Sequence, residues 1–193
     1  MSEYKLAKST DDVKKYLKNA DIISFDFETA PNDEYRDKPM SAIDPHKSHI
    51  VGVSFSVKAG TGIYAPIAHK NTSLNIDMFK LLNEIAKSSA VKIAHNLAFE
   101  AMFLYANGIL IKSPVYDTLL AAMMTMKSKT EFRTLSDSGL KTLVPQLLKV
   151  DLHKFEEVTA GKHFDELNPE DAETIRYACA DSDYALQLYK LFN

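Results

Sequence analysis

Two carboxylates, Asp26 and Glu28, stand two residues apart inside "ISFDFETA", a β-branched and aromatic run of the kind that forms buried strands. Side chains alternate faces along a strand, so Asp26 and Glu28 point one way while Phe25 and Phe27 point the other. Two like charges held against a core are costly unless a cation or a set of donors compensates them. An edge strand with one wet face carries the same alternation without any chemistry. A divalent metal site uses it directly, because hard cations take carboxylate oxygens. A second pair, Tyr177 and Asp181 in "YACADSDYALQL", is four residues apart and lies on one face of a helix, with Ile175 and Cys179 offset toward the core. Taken alone, that pair is an ordinary surface pair on an amphipathic helix.

The surrounding chain supplies the elements that must position these groups. "STDDVKKYLKNA" reads as a short helix capped by Ser9 or Thr10, and "IISFDFET" as a strand. A polar stretch from Pro31 to His49, with Pro39 and Pro45, reads as an extended loop able to reach a strand backbone through Tyr35, Arg36, Lys38, His46, Lys47 and His49. "HIVGVSFSV" and "GIYAPIA" form a hairpin, and "NIDMFKLLNEIAK" a helix capped by Asn75. "VKIA" is a short strand before a helix running from about Asn96 to Gly108, and "VYDTLLAAMMT" a brief strand turning into a helix capped by Asp117. "GLKTLVPQLL" is helical, and the last helix starts with Asn168 as cap and Pro169 at its first position. Three strands followed by strand and helix in alternation predict an α/β fold, a mixed sheet with helices packed on it.

The bulk composition narrows the class. A chain of 193 residues, 46% hydrophobic and 25% charged, fits one globular domain with a full core. No apolar run reaches a membrane span, the N-terminus lacks a signal-peptide core, and one cysteine, Cys179, excludes an internal disulfide framework. These features give the expectation of a soluble cytoplasmic domain with no membrane partner. A net charge of −3 argues against holding nucleic acid by broad electrostatics, though an enzyme that grips a few nucleotides remains compatible with it. No glycine-rich phosphate cradle occurs, and the six histidines form no helical pair suggestive of zinc. His95 reads as a local hydrogen-bonding residue and Cys179 as a small buried apolar one.

The order "FDFET", "HNLAFEAMFL", "YACADSDYALQL" resembles the three exonuclease motifs of the 3′–5′ proofreading domain of bacterial and phage DNA polymerase I, in the ribonuclease H-like group with four acids and a tyrosine. The likeness runs from about Ser24 to Leu191 and includes the strands "IVGVSFSVKAGTGIYAPIAH". Each motif is short; their order and spacing together are specific. The resemblance implies a ribonuclease H-like mixed central sheet flanked by helices. It assigns Asp26 and Glu28 to the first motif, Asn96 to the opening of the second, and Tyr177 and Asp181 to the third. Phe155 in "KFEEV" matches an aromatic that packs against bases at the primer 3′ end, although an ordinary core Phe fits the residue type equally.

The implied chemistry is two-metal hydrolysis of a phosphodiester at a single-stranded or frayed DNA 3′ end, with Mg²⁺ or Mn²⁺. In that scheme Asp26 bridges both ions, Glu28 and Asp181 complete the nucleophile-side site, and Tyr177 orients the attacking water. The sequence departs from the family at Glu100, where the second motif has an aspartate. The longer arm moves the carboxylate by up to about 1.5 Å, which implies an active but weakened or Mn²⁺-preferring enzyme; the alternative is a solvated helix residue. The chain ends at "LYKLFN", about where a covalently linked polymerase domain follows in the family, so both an excised domain and a free-standing exonuclease are expected forms. Two other readings share the pattern: a ribonuclease D-like RNA exonuclease, and a non-catalytic module that supports a polymerase or binds a strand end.

Overall fold

The computed structural model describes residues 2–126, 134–152 and 155–193. Its centre is a six-stranded sheet in the order β1-β4-β3-β2-β5-β6. The strands are β1 (Glu3–Leu6), β2 (Ile22–Pro31), β3 (Ser48–Ser56), β4 (Thr61–Pro66), β5 (Val91–Ala94) and β6 (Val115–Asp117). The β2–β3 and β3–β4 pairs are antiparallel, whereas β1 on β4, β5 on β2 and β6 on β5 are parallel, which makes the sheet mixed as expected. The edge strand β1 has no counterpart in the sequence reading, since "EYKL" is too short and too charged to signal itself.

Seven helices complete the described residues: α1 (Thr10–Tyr16), α2 (Phe79–Lys87), α3 (Leu97–Ala106), α4 (Thr118–Thr125), α5 (Leu140–Leu143), α6 (Phe155–Thr159) and α7 (Ala172–Phe192). Ser9 caps α1 by accepting from the Asp12 N–H, and Asp117 caps α4 by accepting from Leu119 and Leu120. Two expected caps move. Asn75 is bound up with the His69 backbone, its Oδ1 accepting and its Nδ2 donating, so α2 starts only at Phe79. Asn168 accepts from the Glu170 N–H in a turn of its own, and α7 starts at Ala172 behind Asp171. In both places a polar side chain that competes for nearby backbone groups makes a turn before the helix instead of capping it.

Phe25 and Phe27 are buried on one face of the sheet, with ring centroids 5.7 Å apart, among Val53, Phe55, Leu81, Leu82 and Ile85. Val51 and Tyr64 pack on the opposite face beneath Ala178 and Cys179 of α7. The approach of α7 is close: a Cβ at Gly62 would lie 2.9 Å from the Cys179 Cβ. Buried Ser54 donates to Ser182 Oγ at 2.9 Å, a second tie between sheet and helix. Asp183 provides a third, accepting from the Gly60 N–H and the Tyr4 hydroxyl at 2.9 and 2.8 Å.

Residues 31–49, expected as an extended loop, contain short helical turns at Asp33–Tyr35 and Ser41–Ile43. Arg36 pairs with fully buried Asp165, and Lys70 joins at 2.9 Å from Asp33 and 3.8 Å from Asp165. Arg36 and Lys70 thus tie the loop to the turn before α7, and Arg36 is not free for a strand backbone, while Lys38, His46 and Lys47 remain exposed.

Gly52 lies opposite Glu28 in the β2–β3 register, and a Cβ there would fall 2.0 Å from the Tyr64 hydroxyl oxygen. Tyr64 is fully buried and its hydroxyl is bonded to His69 Nε2 at 2.7 Å, so it has little room to yield. Gly52→Ala is expected to cost about 1–3 kcal/mol of stability by overpacking, read as a lowered urea midpoint. An unchanged midpoint would mean that Tyr64 repacks freely.

Candidate active site

Parallel pairing between β2 and β5 covers only Ile22 to Ser24. Beyond that point β2 continues alone on this side, and the chain leaving β5 enters α3. The gap leaves Asp26 and Glu28 beyond the last β2–β5 pair, at the carboxyl end of β5 where α3 begins, a crevice of the type in which open α/β sheets bind ligands. A register shift between Glu28 and Thr29 marks a bulge on the β3 side. Bulges of this kind re-aim side chains next to active sites.

The third contributor is Asp181 on α7. Asp26 pairs in register with Ser54, and Ser54 holds Ser182, so one hydrogen bond sets the helix carrying Asp181 against the strand carrying Asp26. The fourth is Glu100, in the first turn of α3, only 1% exposed. It is not a solvated helix residue. Asp117 fixes the entry of α3 by accepting from the Asn96 and Leu97 N–H groups at 3.1 and 3.0 Å, while Asn96 itself takes a left-handed φ of 72°.

Charge shows how these four carboxylates meet. Burial pushes Asp26 well above the ordinary carboxylate range, Asp181 pushes it further, and Lys141 partly opposes both. Glu28 is raised by burial and then by Asp26 and Asp181, again eased by Lys141. Glu100 is raised by burial and then by Asp26, with smaller contributions from Asp117 and Asp181. Asp181 is pushed up to about 6 by burial, with Lys141 opposing. Each of Glu28 and Glu100 feels the others of the group except one another.

Among the described residues, no three His, Cys, Asp or Glu side chains converge as a ready-made metal cage. The fit to a hard divalent cation rests instead on the donors. All four are carboxylates, and the buried Glu28 Oε1 and Glu100 Oε2 have no hydrogen-bond partner among the described residues. Orphan carboxylate oxygens and mutual repulsion are both features that bound divalent cations would relieve.

Tyr177 is nearly buried beside this group, its ring centroid 6.0 Å from each of Phe155 and Phe164. Phe155 is 36% exposed, so it is a surface ring flanking Tyr177 rather than a core residue. Asn96 is exposed and its side chain makes no cap bond. The site thus brings together Asp26, Glu28, Glu100, Asp181 and Tyr177, with Phe155 at the margin. His95 bonds Thr118 Oγ1 at 2.9 Å, and Cys179 is fully buried, both as expected. Sequence reasoning missed Lys141, whose Nζ donates to Tyr177 Oη at 3.1 Å. Its only signal was the single charge in "GLKTLVPQLL".

A family model described as "3′–5′ exonuclease" matches residues 5–193. DNA polymerase I of Borreliella burgdorferi is 27% identical over 186 residues, covering 94% of this chain and 18% of the relative, so the chain spans under a fifth of that protein's length. Among solved structures, Brucella melitensis NrnC with bound Mg²⁺ superposes with a TM-score of 0.68 at 20% identity, over 100% of this chain and 80% of that one. Escherichia coli RNase D, an exoribonuclease involved in structured RNA processing, superposes with a TM-score of 0.71 at 16% identity, over 98% of this chain and 44% of that one. These structural likenesses establish the ribonuclease H-like exonuclease fold. No helix among the described residues is long and apolar enough to cross a membrane.

A carboxyl raised by folding makes the native state bind more protons than the unfolded state, so stability falls as pH rises through the window between the two pKa values. For Asp181 that window runs from 3.8 to about 6. In EDTA, the stability of the wild type relative to Asp181→Asn is expected to decline between about pH 4 and 6. Millimolar Mg²⁺ or Mn²⁺ is expected to raise the wild-type melting temperature at pH 7 and leave Asp181→Asn less affected. Parallel pH profiles for the two proteins would contradict the burial of this charge.

Proposed function

The chain belongs to the 3′–5′ exonuclease family, and on that premise we propose that it removes nucleotides from single-stranded or frayed DNA 3′ ends. Asp26, Glu28, Glu100 and Asp181 hold divalent ions, Mg²⁺ or Mn²⁺, and Tyr177 orients the attacking water. The observation that carries this reading is a set of four carboxylates, linked to one another through Asp26 and Asp181, whose charges are under-compensated among the described residues. Such clusters of perturbed acids mark functional sites more often than structural ones.

Bound divalent ions supply charge to the scissile phosphate and make water acidic enough to attack at neutral pH. The chain's own groups do the rest. Asp26 and Glu28 stand on a rigid central strand, which keeps the ion-binding oxygens in place during turnover. Tyr177, clamped between Phe155 and Phe164, presents a hydroxyl beside the acids without needing to ionise. The half-open Phe155 ring offers a stacking surface to a terminal base, and stacking tolerates any base. Asn96, exposed at the head of α3, serves the substrate strand. Sequence kinship to DNA polymerase I favours DNA over RNA as the substrate.

The test is digestion of 5′-labelled single-stranded DNA, and of RNA of the same sequence, with Mg²⁺ or Mn²⁺. A ladder shortening from the 3′ end, faster on DNA, is expected, with Asp26→Ala slower by at least about a hundredfold. Faster loss of RNA would move the assignment to a ribonuclease D-like enzyme. No digestion by folded protein would make it a non-catalytic strand-binding module.

Glu100 generates a separate expectation. Shortening its arm with Glu100→Asp should raise the Mg²⁺-supported rate several-fold relative to the Mn²⁺ rate, since misplacement by about 1 Å costs up to a hundredfold. A fall with both ions would mean that the longer side chain is the one this site is built around.

A further inference from the structure

The segment after residue 133 returns to the site through α5, a single turn continued by Val144–Leu148. Leu140, Leu143 and Val144 are buried against Leu188 of α7, which anchors this turn on the same helix that carries Tyr177. Lys141 projects from the anchored turn. Its ammonium lies 3.1 Å from the Tyr177 hydroxyl oxygen and 5.3 Å from the centre of its ring.

We propose that Lys141 is a positioning residue for the exonuclease reaction: its ammonium fixes the hydroxyl of Tyr177 beside the four carboxylates. The proposal rests on the exonuclease reading of the site. An ammonium has only donors, so Tyr177 Oη must accept from it and must turn its own hydrogen away from Lys141. Phe155 and Phe164 constrain the ring plane but cannot set the hydroxyl rotor; a charged donor can. Donation by a cation also polarises the phenol O–H and strengthens it as a donor in turn.

The distribution of other cations supports the assignment. Arg36 and Lys70 are committed to Asp33 and Asp165, and Lys92 donates to the Ser88 carbonyl at 2.7 Å. Among the described residues, Lys141 is the cation whose charge reaches Asp26, Glu28 and Asp181 alike. Lys141 is itself exposed, but the turn that carries it is held in place by buried Leu140 and Leu143.

The experiment compares wild type, Lys141→Met, Lys141→Arg, Tyr177→Phe and the Tyr177→Phe/Lys141→Met double variant on a short single-stranded DNA at saturating Mg²⁺, with melting temperatures alongside. Lys141→Met is expected to lower kcat about tenfold, the scale of one lost charged hydrogen bond, with KM nearly unchanged. Lys141→Arg is expected to recover most of that loss. In the Tyr177→Phe background, Lys141→Met is expected to have no further effect, since the hydroxyl it positions is gone. An undiminished loss in that background, or a loss in KM alone, overturns the proposal.

A readout independent of turnover is the ¹³Cζ resonance of Tyr177 in ¹³C-tyrosine-labelled protein. It should shift in Lys141→Met and stay in place in Lys149→Met. An unmoved resonance overturns the positioning contact whether or not the protein cleaves DNA. A wild type that leaves DNA and RNA intact while the resonance shifts would defeat the exonuclease reading instead, and with it the catalytic meaning of the contact.

Discussion

Mutual repulsion among Asp26, Glu28, Glu100 and Asp181 is the constraint that the architecture is organised to overcome. Carboxylates brought this close and this deep will take up protons or move apart unless something holds them. What holds them is close docking of α7 on the sheet. The small Gly62 lets the helix approach at Cys179, the Ser54–Ser182 bond fixes its register opposite Asp26, and Asp183 clamps it to Gly60 and Tyr4. None of these contacts touches a reacting atom. Without them Asp181 would relax away from β2, and the site would lose its third carboxylate before any change in its own residues.

The same molecule shows how a buried carboxylate looks when structure alone is at stake. Asp165 is fully buried and is met by the cations Arg36 and Lys70. Burying a charge is tolerable when partners of opposite sign are supplied at the same place. Of the four acids at the candidate site, Asp26, Glu28 and Asp181 share Lys141, and among the described residues two oxygens, Glu28 Oε1 and Glu100 Oε2, have no hydrogen-bond partner. A chain that satisfies one buried acid so fully has the means to satisfy the others. Leaving them short is the kind of local violation that concentrates at functional sites.

Much of this was legible in the sequence because it depends on short-range pattern. The alternation in "SFDFET" set Phe25 and Phe27 against Asp26 and Glu28, and the sheet keeps that division. Asp117 after a brief strand announced the start of α4. What stayed hidden depends on partners distant in the chain. Ser54 and Ser182 are 128 residues apart, and neither carries any mark of the other. Arg36 in the 31–49 loop looks like a free polar group until Asp165 is placed beside it. The displaced caps at Asn75 and Asn168 show the same limit at short range, because Asn suits a turn as well as a helix start and only the neighbouring backbone decides.

Glu100 joins these strands of argument, since its charge and its geometry have different consequences. The charge at the site is the same as with aspartate, so the repulsion that favours a bound cation is preserved. Geometry is where the extra methylene acts, displacing the carboxylate by up to about 1.5 Å from a helix fixed by Asp117. The helix cannot retreat to compensate, because Phe103 and Leu104 on its next turn are buried in the main core. A displaced oxygen matters most to a small ion that demands near-ideal octahedral geometry and gives up its water reluctantly, which describes Mg²⁺. In the proposed reaction, a departure of one methylene at a buried position would therefore bear on which ion the site uses well.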